Sequence, residues 1–305
     1  MAALTQSYVN GVGEIPLIGE TIGQFFDAVC DKCPDRPALI VRHQNVRWSY
    51  RELRREVDRL ATGLLTLGLE PGDRIGIWSP NNSEWVLAQF ATAKAGLILV
   101  NINPAYRITE LEYALNKVSC KALILAEKFK TSDYIGMLRE LAPELGQAAP
   151  GNLQSTRLPT LQSVVLLGEN WHPGTFKFSE ILACGTEKEK RRLTELAPQL
   201  QFDEAINVQF TSGTTGFPKG ATLSHHNILN NGFFIGEAMK LTPDDRLCIP
   251  VPLYHCFGMV LGNLAAVTHG SCMVFPGEGF DPLVTLQTVA DERCTALHGV
   301  PTMLQ

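Results

Sequence analysis

The amino-acid sequence predicts an α/β fold with two doubly wound βαβ layers in tandem, the first over residues 1–200 and the second over 201–305. Three observations lead to this prediction. Short apolar runs alternate with helical patterns, which is the rhythm of βαβ crossovers. The runs are apolar on both faces, as in buried parallel strands. Hydrophobic residues make up 45% of the 305 residues and charged residues 19%, a composition that supports a large folded core.

The first elements are predicted from helix caps and turns. Thr21 is placed to cap a first helix, and a hairpin over residues 38–48 turns at 43–45. Ser49 and Glu52 form a capping box for the next helix. The rest of the first layer is then predicted as strands at 74–78, 97–100, 121–125 and 163–167, with helices at 83–95, 109–117, from about 128, and 186–196.

The second layer is predicted by the same alternation, after an insertion loop at about 142–160. Its strands are expected at 206–210, 246–251, 272–275 and 294–297, and its helices at 224–240, 257–267 and 281–291. Pro301 suits the first turn of a further helix, yet the sequence stops at Gln305. We therefore expect a domain that is incomplete at its carboxyl end.

Charge and cysteine usage exclude several classes of protein. Lys and Arg number 26 against 31 Asp and Glu, so no basic footprint for nucleic acid is expected. The apolar stretches are too short for a transmembrane helix, and the first thirty residues contain no Lys or Arg, so no presequence is expected. The eight cysteines read as reduced, buried thiols. Cys30 and Cys33 have CxxC spacing, but two thiols one helical turn apart are favoured over a metal or redox site.

The densest polar cluster is the ten-residue segment 211–220, Thr-Ser-Gly-Thr-Thr-Gly-Phe-Pro-Lys-Gly, directly after an apolar strand. Its glycines let backbone N–H groups converge, its hydroxyls add donors, and Lys219 adds a charge, which together form an anion nest. A Walker A loop is excluded because Pro218 precedes the lysine and Gly220 follows it. The alternative is a flexible surface loop without a ligand.

This segment resembles the signature loop of the acyl-adenylate-forming enzymes, which include acyl-CoA synthetases, adenylation domains of peptide synthetases and beetle luciferases. Every position of the family's motif is matched. The resemblance implies that Lys219 is catalytic and that the loop binds the ATP phosphates through Thr211, Ser212, Gly213, Thr214, Thr215, Gly216, Phe217, Pro218 and Lys219.

Two further segments resemble the family. Pro252 to Gly258 is similar to a motif whose histidine helps to position the carboxylate at the acyl entrance, a role that falls on His255. A lone histidine among aromatic residues is otherwise more often a satisfied core residue. The segment 299–302 is similar to a stretch bordering the acyl site, which implies substrate contacts for Gly299 and Thr302.

The resemblance implies an ATP-dependent fatty-acid:CoA ligase that uses ATP, Mg²⁺ and coenzyme A, passes through an acyl-adenylate, and releases pyrophosphate and AMP. Some segments look closest to the mitochondrial medium-chain members, which implies the mitochondrial matrix, with the cytosol as the alternative. The family's adenosine-binding stretch and small C-terminal lid domain are expected to be missing, so the chain alone is expected to be inactive. A non-catalytic shortened product, and an aryl-acid- or amino-acid-adenylating enzyme, remain alternatives.

Overall fold

A computed structural model describes residues 13–211 and 218–303. The strands are β1 Pro37–Val41, β2 Val46–Ser49, β3 Arg74–Trp78, β4 Ile98–Asn101, β5 Ala122–Leu125, β6 Lys128–Phe129, β7 Ser132–Asp133, β8 Ser163–Leu166, β9 Phe176–Lys177, β10 Ala205–Thr211, β11 Lys219–Ser224, β12 Arg246–Cys248, β13 Cys272–Phe275 and β14 Ala296–Leu297.

The α-helices alternate with these strands for most of the chain. They are α1 Ile22–Lys32, α2 Tyr50–Thr66, α3 Ser83–Ala95, α4 Ile108–Lys117, α5 Tyr134–Leu141, α6 Phe178–Cys184, α7 Glu187–Leu196, α8 His225–Met239, α9 Ala265–Thr268 and α10 Pro282–Asp291. A π-helix over Phe257–Leu264 leads into α9. Both predicted capping residues are in place, with Thr21 at the start of α1 and Ser49 at the start of α2.

Two mainly parallel sheets carry the fold, which confirms the predicted α/β class. The larger sheet has the strand order β11-β10-β4-β3-β5-β8-β9, and only its β10–β11 pair is antiparallel. The smaller sheet has the order β14-β12-β13-β1-β2, and only its β1–β2 hairpin is antiparallel. The carboxyl ends of the parallel strands in each sheet lie at one edge, where ligands bind in open α/β sheets.

The strand pairing crosses the predicted division of the chain after residue 200. Strand β10 pairs with β4 in the larger sheet, and β1 pairs with β13 in the smaller one. Each sheet therefore takes strands from both sides of that division, and the two layers are interleaved along the chain instead of lying in tandem. The physical reason is that the apolar early strand Pro37–Val41 is buried by β13, which lies more than 200 residues later.

Helix α3 is buried almost all round its surface, and only Glu84 and Lys94 are partly exposed. A helix that is buried on every side belongs to the interior of a protein. Gln89 of α3 donates a hydrogen bond to the π-helix, while α3 also packs on α1 and α2 of the first part of the chain. This helix therefore lies between elements that come from distant parts of the sequence.

Three predicted elements differ from the structure. The helix expected from about residue 128 starts instead at Tyr134, because Lys130 takes a left-handed backbone with φ of 52° and closes the small β6–β7 hairpin. The strand expected over 246–251 ends at Cys248, before the prolines at 250 and 252, which have no N–H to donate to a strand. The helix expected over 257–267 begins as a π-helix.

Candidate functional site

The two ends of the predicted phosphate loop are paired in an antiparallel hairpin. Thr211 ends β10 and faces Lys219, the first residue of β11, and the Thr211 hydroxyl lies 3.4 Å from the Lys219 carbonyl oxygen. Both residues are exposed. The other predicted loop positions, Ser212, Gly213, Thr214, Thr215, Gly216 and Phe217, lie outside the described residues. Since β11 returns antiparallel to β10, the segment does not lead straight into a helix as a Walker A loop would.

Helix α4 holds the returning side of this hairpin. The hydroxyl of Tyr113 donates to the carbonyl oxygen of Pro218 at 3.1 Å. Pro218 is the one loop position that lies between the undescribed residues and Lys219, so this contact sets where β11 begins. The hairpin base is therefore anchored while Lys219 itself stays exposed to solvent.

His255 lies on a tight turn between β12 and the π-helix. Its side chain is exposed, and its Nδ1 accepts a hydrogen bond from the Phe257 backbone N–H at 3.2 Å. Its carbonyl oxygen accepts from the backbone N–H groups of Gly258 and Met259 at 3.0 and 3.2 Å. The exposure of His255 argues against the alternative of a satisfied core histidine.

The turn requires glycine at position 258. A Cβ atom there would lie 2.4 Å from the Pro252 carbonyl oxygen and 2.9 Å from the Leu253 Cα, far inside van der Waals contact. The buried Asn81 brackets the same segment, since its Nδ2 donates to the Val251 carbonyl at 2.9 Å and its Oδ1 accepts from Leu253 N–H at 2.8 Å. The backbone before His255 is therefore fixed from both sides.

Buried amide side chains connect this turn to the strand that carries the phosphate hairpin. Asn101, at the end of β4, donates from Nδ2 to the Tyr254 carbonyl oxygen at 3.1 Å. Its Oδ1 accepts from Nδ2 of Asn207 in β10 at 2.9 Å. Asn101 is also the register partner of Gln209, two residues before Thr211. Sequence analysis did not identify these amides; their signal is a polar side chain inside an otherwise apolar strand.

The segment that contains Gly299 and Thr302 packs beside the π-helix. The ring of the buried His298 donates from Nε2 to the Leu261 carbonyl oxygen at 2.7 Å and lies 5.0 Å from the Phe257 ring. Burial lowers the pKa of His298, so the ring is neutral at neutral pH. Gly299 is half-buried, and Thr302 is exposed within a short 3₁₀ helix over Pro301–Met303.

A cavity of about 410 Å³ opens beside these segments, at the carboxyl ends of β3, β4, β12 and β13. Tyr254 and Met303 line it, and they are the chain neighbours of His255 and Thr302. Arg107 and Lys130 supply two cations to its lining, and Glu278 supplies one carboxylate. Burial raises the pKa of Tyr254, which keeps its phenol protonated. The cavity is large enough for part of an organic ligand.

Within residues 13–211 and 218–303, no three His, Cys, Asp or Glu side chains lie where they could hold one metal ion. Cys30 and Cys33 are both free and buried at the end of α1. Their positions agree with the interpretation that they are two thiols one helical turn apart. No helix in the described part of the chain combines the length and the apolar character needed to cross a bilayer.

The sequence profile of the AMP-binding enzyme family matches residues 26–305. The medium-chain acyl-CoA ligase ACSF2, mitochondrial, of Danio rerio is 45% identical over 302 residues, which cover 98% of this chain and 50% of that protein. Its counterpart in Homo sapiens is 45% identical over 304 residues, covering 97% of this chain and 49% of that protein.

A solved structure of the anthranilate CoA ligase AuaEII in complex with anthranoyl-AMP shares the fold. Its TM-score is 0.80 at 22% identity, over 95% of this chain and 51% of that one. The chain therefore spans about half the length of the curated relatives it matches.

Proposed function

The chain belongs to the AMP-binding enzyme family, and from that premise we propose that it serves an ATP-dependent ligase that joins a medium-chain fatty acid to coenzyme A. The names of its relatives support the class of the reaction and the chain length of the acid. The observation that carries the proposal is structural. Asn101 pairs with β10, the strand that leads into the exposed phosphate hairpin. Its side chain also donates to the carbonyl oxygen of Tyr254, the residue before the exposed His255.

In the first half-reaction we propose that a carboxylate oxygen of the acid attacks the α-phosphorus of ATP. The bond between that phosphorus and the α,β-bridging oxygen breaks, and pyrophosphate leaves with the electron pair of that bond. The protein has to hold two anions close together and offset their charge, which calls for no covalent nucleophile. Backbone N–H groups of the loop and the ammonium of Lys219 would perform this task. Mg²⁺ would be bound mainly by the phosphate oxygens.

His255 is proposed to hold the carboxylate for that attack. Because its Nδ1 accepts the Phe257 N–H, Nε2 is the ring nitrogen that remains to donate a hydrogen bond. An Nε2–H donor suits a carboxylate oxygen. Gly299 and Thr302 would border the acyl chain.

In the second half-reaction the sulfur of coenzyme A attacks the acyl carbonyl carbon and the thiol proton passes to solvent. The bond between that carbon and the phosphate oxygen breaks, and AMP leaves with its electron pair. The cavity beside Tyr254 supports a second substrate next to the first. Arg107 and Lys130 in its lining would face an anionic ligand, which coenzyme A is.

We propose the mitochondrial matrix as the location, on the printed names of the relatives, with the cytosol as the alternative. Cell fractionation of the tagged natural protein distinguishes the two compartments.

The experiment that tests the function is a pyrophosphate-release assay with ATP, Mg²⁺ and acids of increasing chain length, followed by a thioester assay after coenzyme A is added. Aryl acids and amino acids belong in the same panel, because a preference for either would replace the fatty-acid proposal. Absence of turnover by residues 1–305 beside turnover by a longer natural form would support a shortened, non-catalytic product.

Lys219→Ala is the informative variant in this assay. Loss of a charge that stabilises the transition state costs about 2–4 kcal/mol, or roughly 10²- to 10³-fold in rate. Lys188→Ala, at an exposed position of α7, is the matched control and should keep full activity. Equal activity of the two variants would remove Lys219 from the proposed mechanism.

A further inference from the structure

Three buried side chains from the larger sheet and its helix converge on one residue beside the smaller sheet, Met259. Gln89 of α3 donates from Nε2 to the Met259 carbonyl oxygen at 3.0 Å. Asn101 donates from Nδ2 to the Met259 sulfur at 3.1 Å, and Gln209 of β10 donates from Nε2 to the same sulfur at 3.0 Å. Met259 is 1% exposed, and the three donors are 2–6% exposed.

The hydrogen bonds to the Met259 sulfur are weaker than the same donors would form with oxygen acceptors. A thioether sulfur is a weak acceptor, and here it receives two amide N–H groups that would otherwise compete for a stronger partner. A buried donor without a partner loses its hydration and gains nothing in return. A packing role alone would be filled as well by leucine, which has nearly the same volume.

Met259 is also part of the turn that carries His255. Its backbone N–H donates to the His255 carbonyl oxygen at 3.2 Å, and it lies in the π-helix that starts at Phe257. A π-helix is rare and is frequently found at functional sites. The backbone of Met259 thus holds the histidine turn, while its side chain and carbonyl are held by the opposite layer.

Two of the residues that donate to Met259 also belong to the part of the candidate site around the phosphate hairpin. Gln209 lies two residues before Thr211, where the phosphate hairpin opens, and Asn101 also donates to the carbonyl oxygen of Tyr254. A single side chain therefore connects the hairpin strand to the histidine turn through hydrogen bonds of defined direction.

We propose that Met259 is a positioning residue, whose sulfur sets the placement of His255 relative to β10, the strand that ends at Thr211. Met259 is buried and acts through His255. The inference rests on the proposed function, since it assumes that acid and ATP phosphates meet between these two segments.

The test compares Met259→Leu with Met273→Leu, a buried methionine of β13 that lies outside this network. Both variants remove a sulfur and keep the volume. For Met259→Leu we expect kcat for pyrophosphate release to fall about 10- to 100-fold, as displacement of a reacting group by ~1 Å does. The KM for ATP should change little, and Met273→Leu should keep its kcat.

Met259→Gln supplies an oxygen acceptor at a similar reach and should restore part of the lost kcat. Should Met259→Leu fail to fold, Gln209→Leu removes the donor from the β10 side and should reproduce the loss of kcat. In the double variant the two losses should not add, because both remove the same contact. Full kcat in Met259→Leu or in Gln209→Leu, or equal losses in Met259→Leu and Met273→Leu, would overturn the proposal.

A second readout separates this inference from the proposed function. The ¹⁵N resonances of the His255 ring report its hydrogen bond to Phe257 in the absence of substrate. Met259→Leu should shift them and Met273→Leu should not. A longer natural form without substitutions that releases no pyrophosphate with any acid would refute the function, whereas unchanged His255 resonances in Met259→Leu would refute the positioning role.

Discussion

Two histidines in the same half of the chain show how much the environment of a residue decides. His255 is exposed on its turn, whereas His225, at the start of α8, is 1% exposed and accepts the Ile22 N–H on Nδ1 at 3.1 Å. The sequence favours a solvated first turn for His225 and His226. That interpretation is wrong for His225, because its ring is buried between α8 and the start of α1.

His255→Ala should reduce fatty-acid activation and leave the fold intact. An exposed side chain contributes little packing, so the melting temperature should stay within about 1–2 °C of the unsubstituted protein, in keeping with a small surface effect. His225→Ala is the informative comparison, since it empties a buried position and should lower the melting temperature clearly. A His255→Ala protein that melts early but turns over normally per folded molecule would contradict the proposed role.

The buried His225 should make stability depend on pH. Burial lowers its pKa to about 4 from an ordinary 6.5, so the unfolded chain takes up the proton first as the pH falls. Stability is unaffected above pH 6.5 and is lost progressively between pH 6.5 and 4, by up to roughly 3 kcal/mol from this group.

His225→Asn tests this expectation. The Asn oxygen can still accept the Ile22 N–H but does not titrate in this range, so the variant should lose less stability between pH 7 and pH 4.5 than the unsubstituted protein. Denaturant unfolding at the two pH values measures the difference. The same loss in both proteins would show that His225 is not the titrating group.

At the scale of elements, the turn before the π-helix and the β10–β11 hairpin present the candidate groups to solvent, while side chains from other elements hold their backbone. Asn81 and Asn101 hold the turn by side-chain contacts to backbone atoms, and the Tyr113 hydroxyl holds the returning strand of the hairpin at Pro218. Polar side chains that bond buried backbone groups give direction as well as stability. The hydrogen bonds that hold the site therefore lie in the residues around the candidate groups, and the candidate groups themselves remain exposed.

Gly258→Ala should disturb this turn. The added Cβ would collide with the Pro252 carbonyl oxygen, so the backbone before His255 has to move. Overpacking of this kind costs about 1–3 kcal/mol, and we expect a lower melting temperature together with reduced turnover.

Gly146→Ala is the control for this substitution, because nothing lies within 4 Å of a Cβ at that position. A Gly258→Ala protein as stable and as active as Gly146→Ala would show that the turn tolerates a side chain.

At the scale of the whole molecule, contacts between distant parts of the chain close the smaller sheet. Arg47 of β2 donates two hydrogen bonds to the Glu292 carboxylate, at 2.8 and 2.6 Å, across 245 positions of sequence. Glu292 is 5% exposed, and the Arg47 hydrogen bonds lower its pKa. The pair joins the first hairpin to the end of α10 and so helps to hold β1 beside β13.

Glu292→Gln should therefore lower the free energy of unfolding by about 1–2 kcal/mol, a value reduced from that of a fully buried pair because the Arg47 side chain is half exposed. Glu187→Gln, in an exposed pair with Lys190, should have almost no effect. Thermal unfolding of both variants gives the comparison, and equal melting temperatures would show that the Arg47–Glu292 pair contributes no more than a surface pair.

The local features of the fold follow from the amino-acid sequence alone. The cap at Thr21, the capping box at Ser49, the bounds of α3, the strands at 74–78 and 272–275, and the loop motif at 211–220 all follow from side chains that act within a few positions of one another. Capping, periodicity and glycine content are local properties, so the printed residues suffice to predict them.

Which strands share a sheet, and which polar groups share a site, became visible only in the folded chain. Nothing near Pro37–Val41 indicates that its parallel neighbour is β13, and nothing near Met259 indicates that Gln89, Asn101 and Gln209 converge on it. The return of β11 against β10 was likewise invisible, since a run such as Lys219–Ser224 is a strand only because β10 is there to pair with it. These features depend on contacts between residues far apart in sequence, and such contacts are settled by the burial of the whole chain.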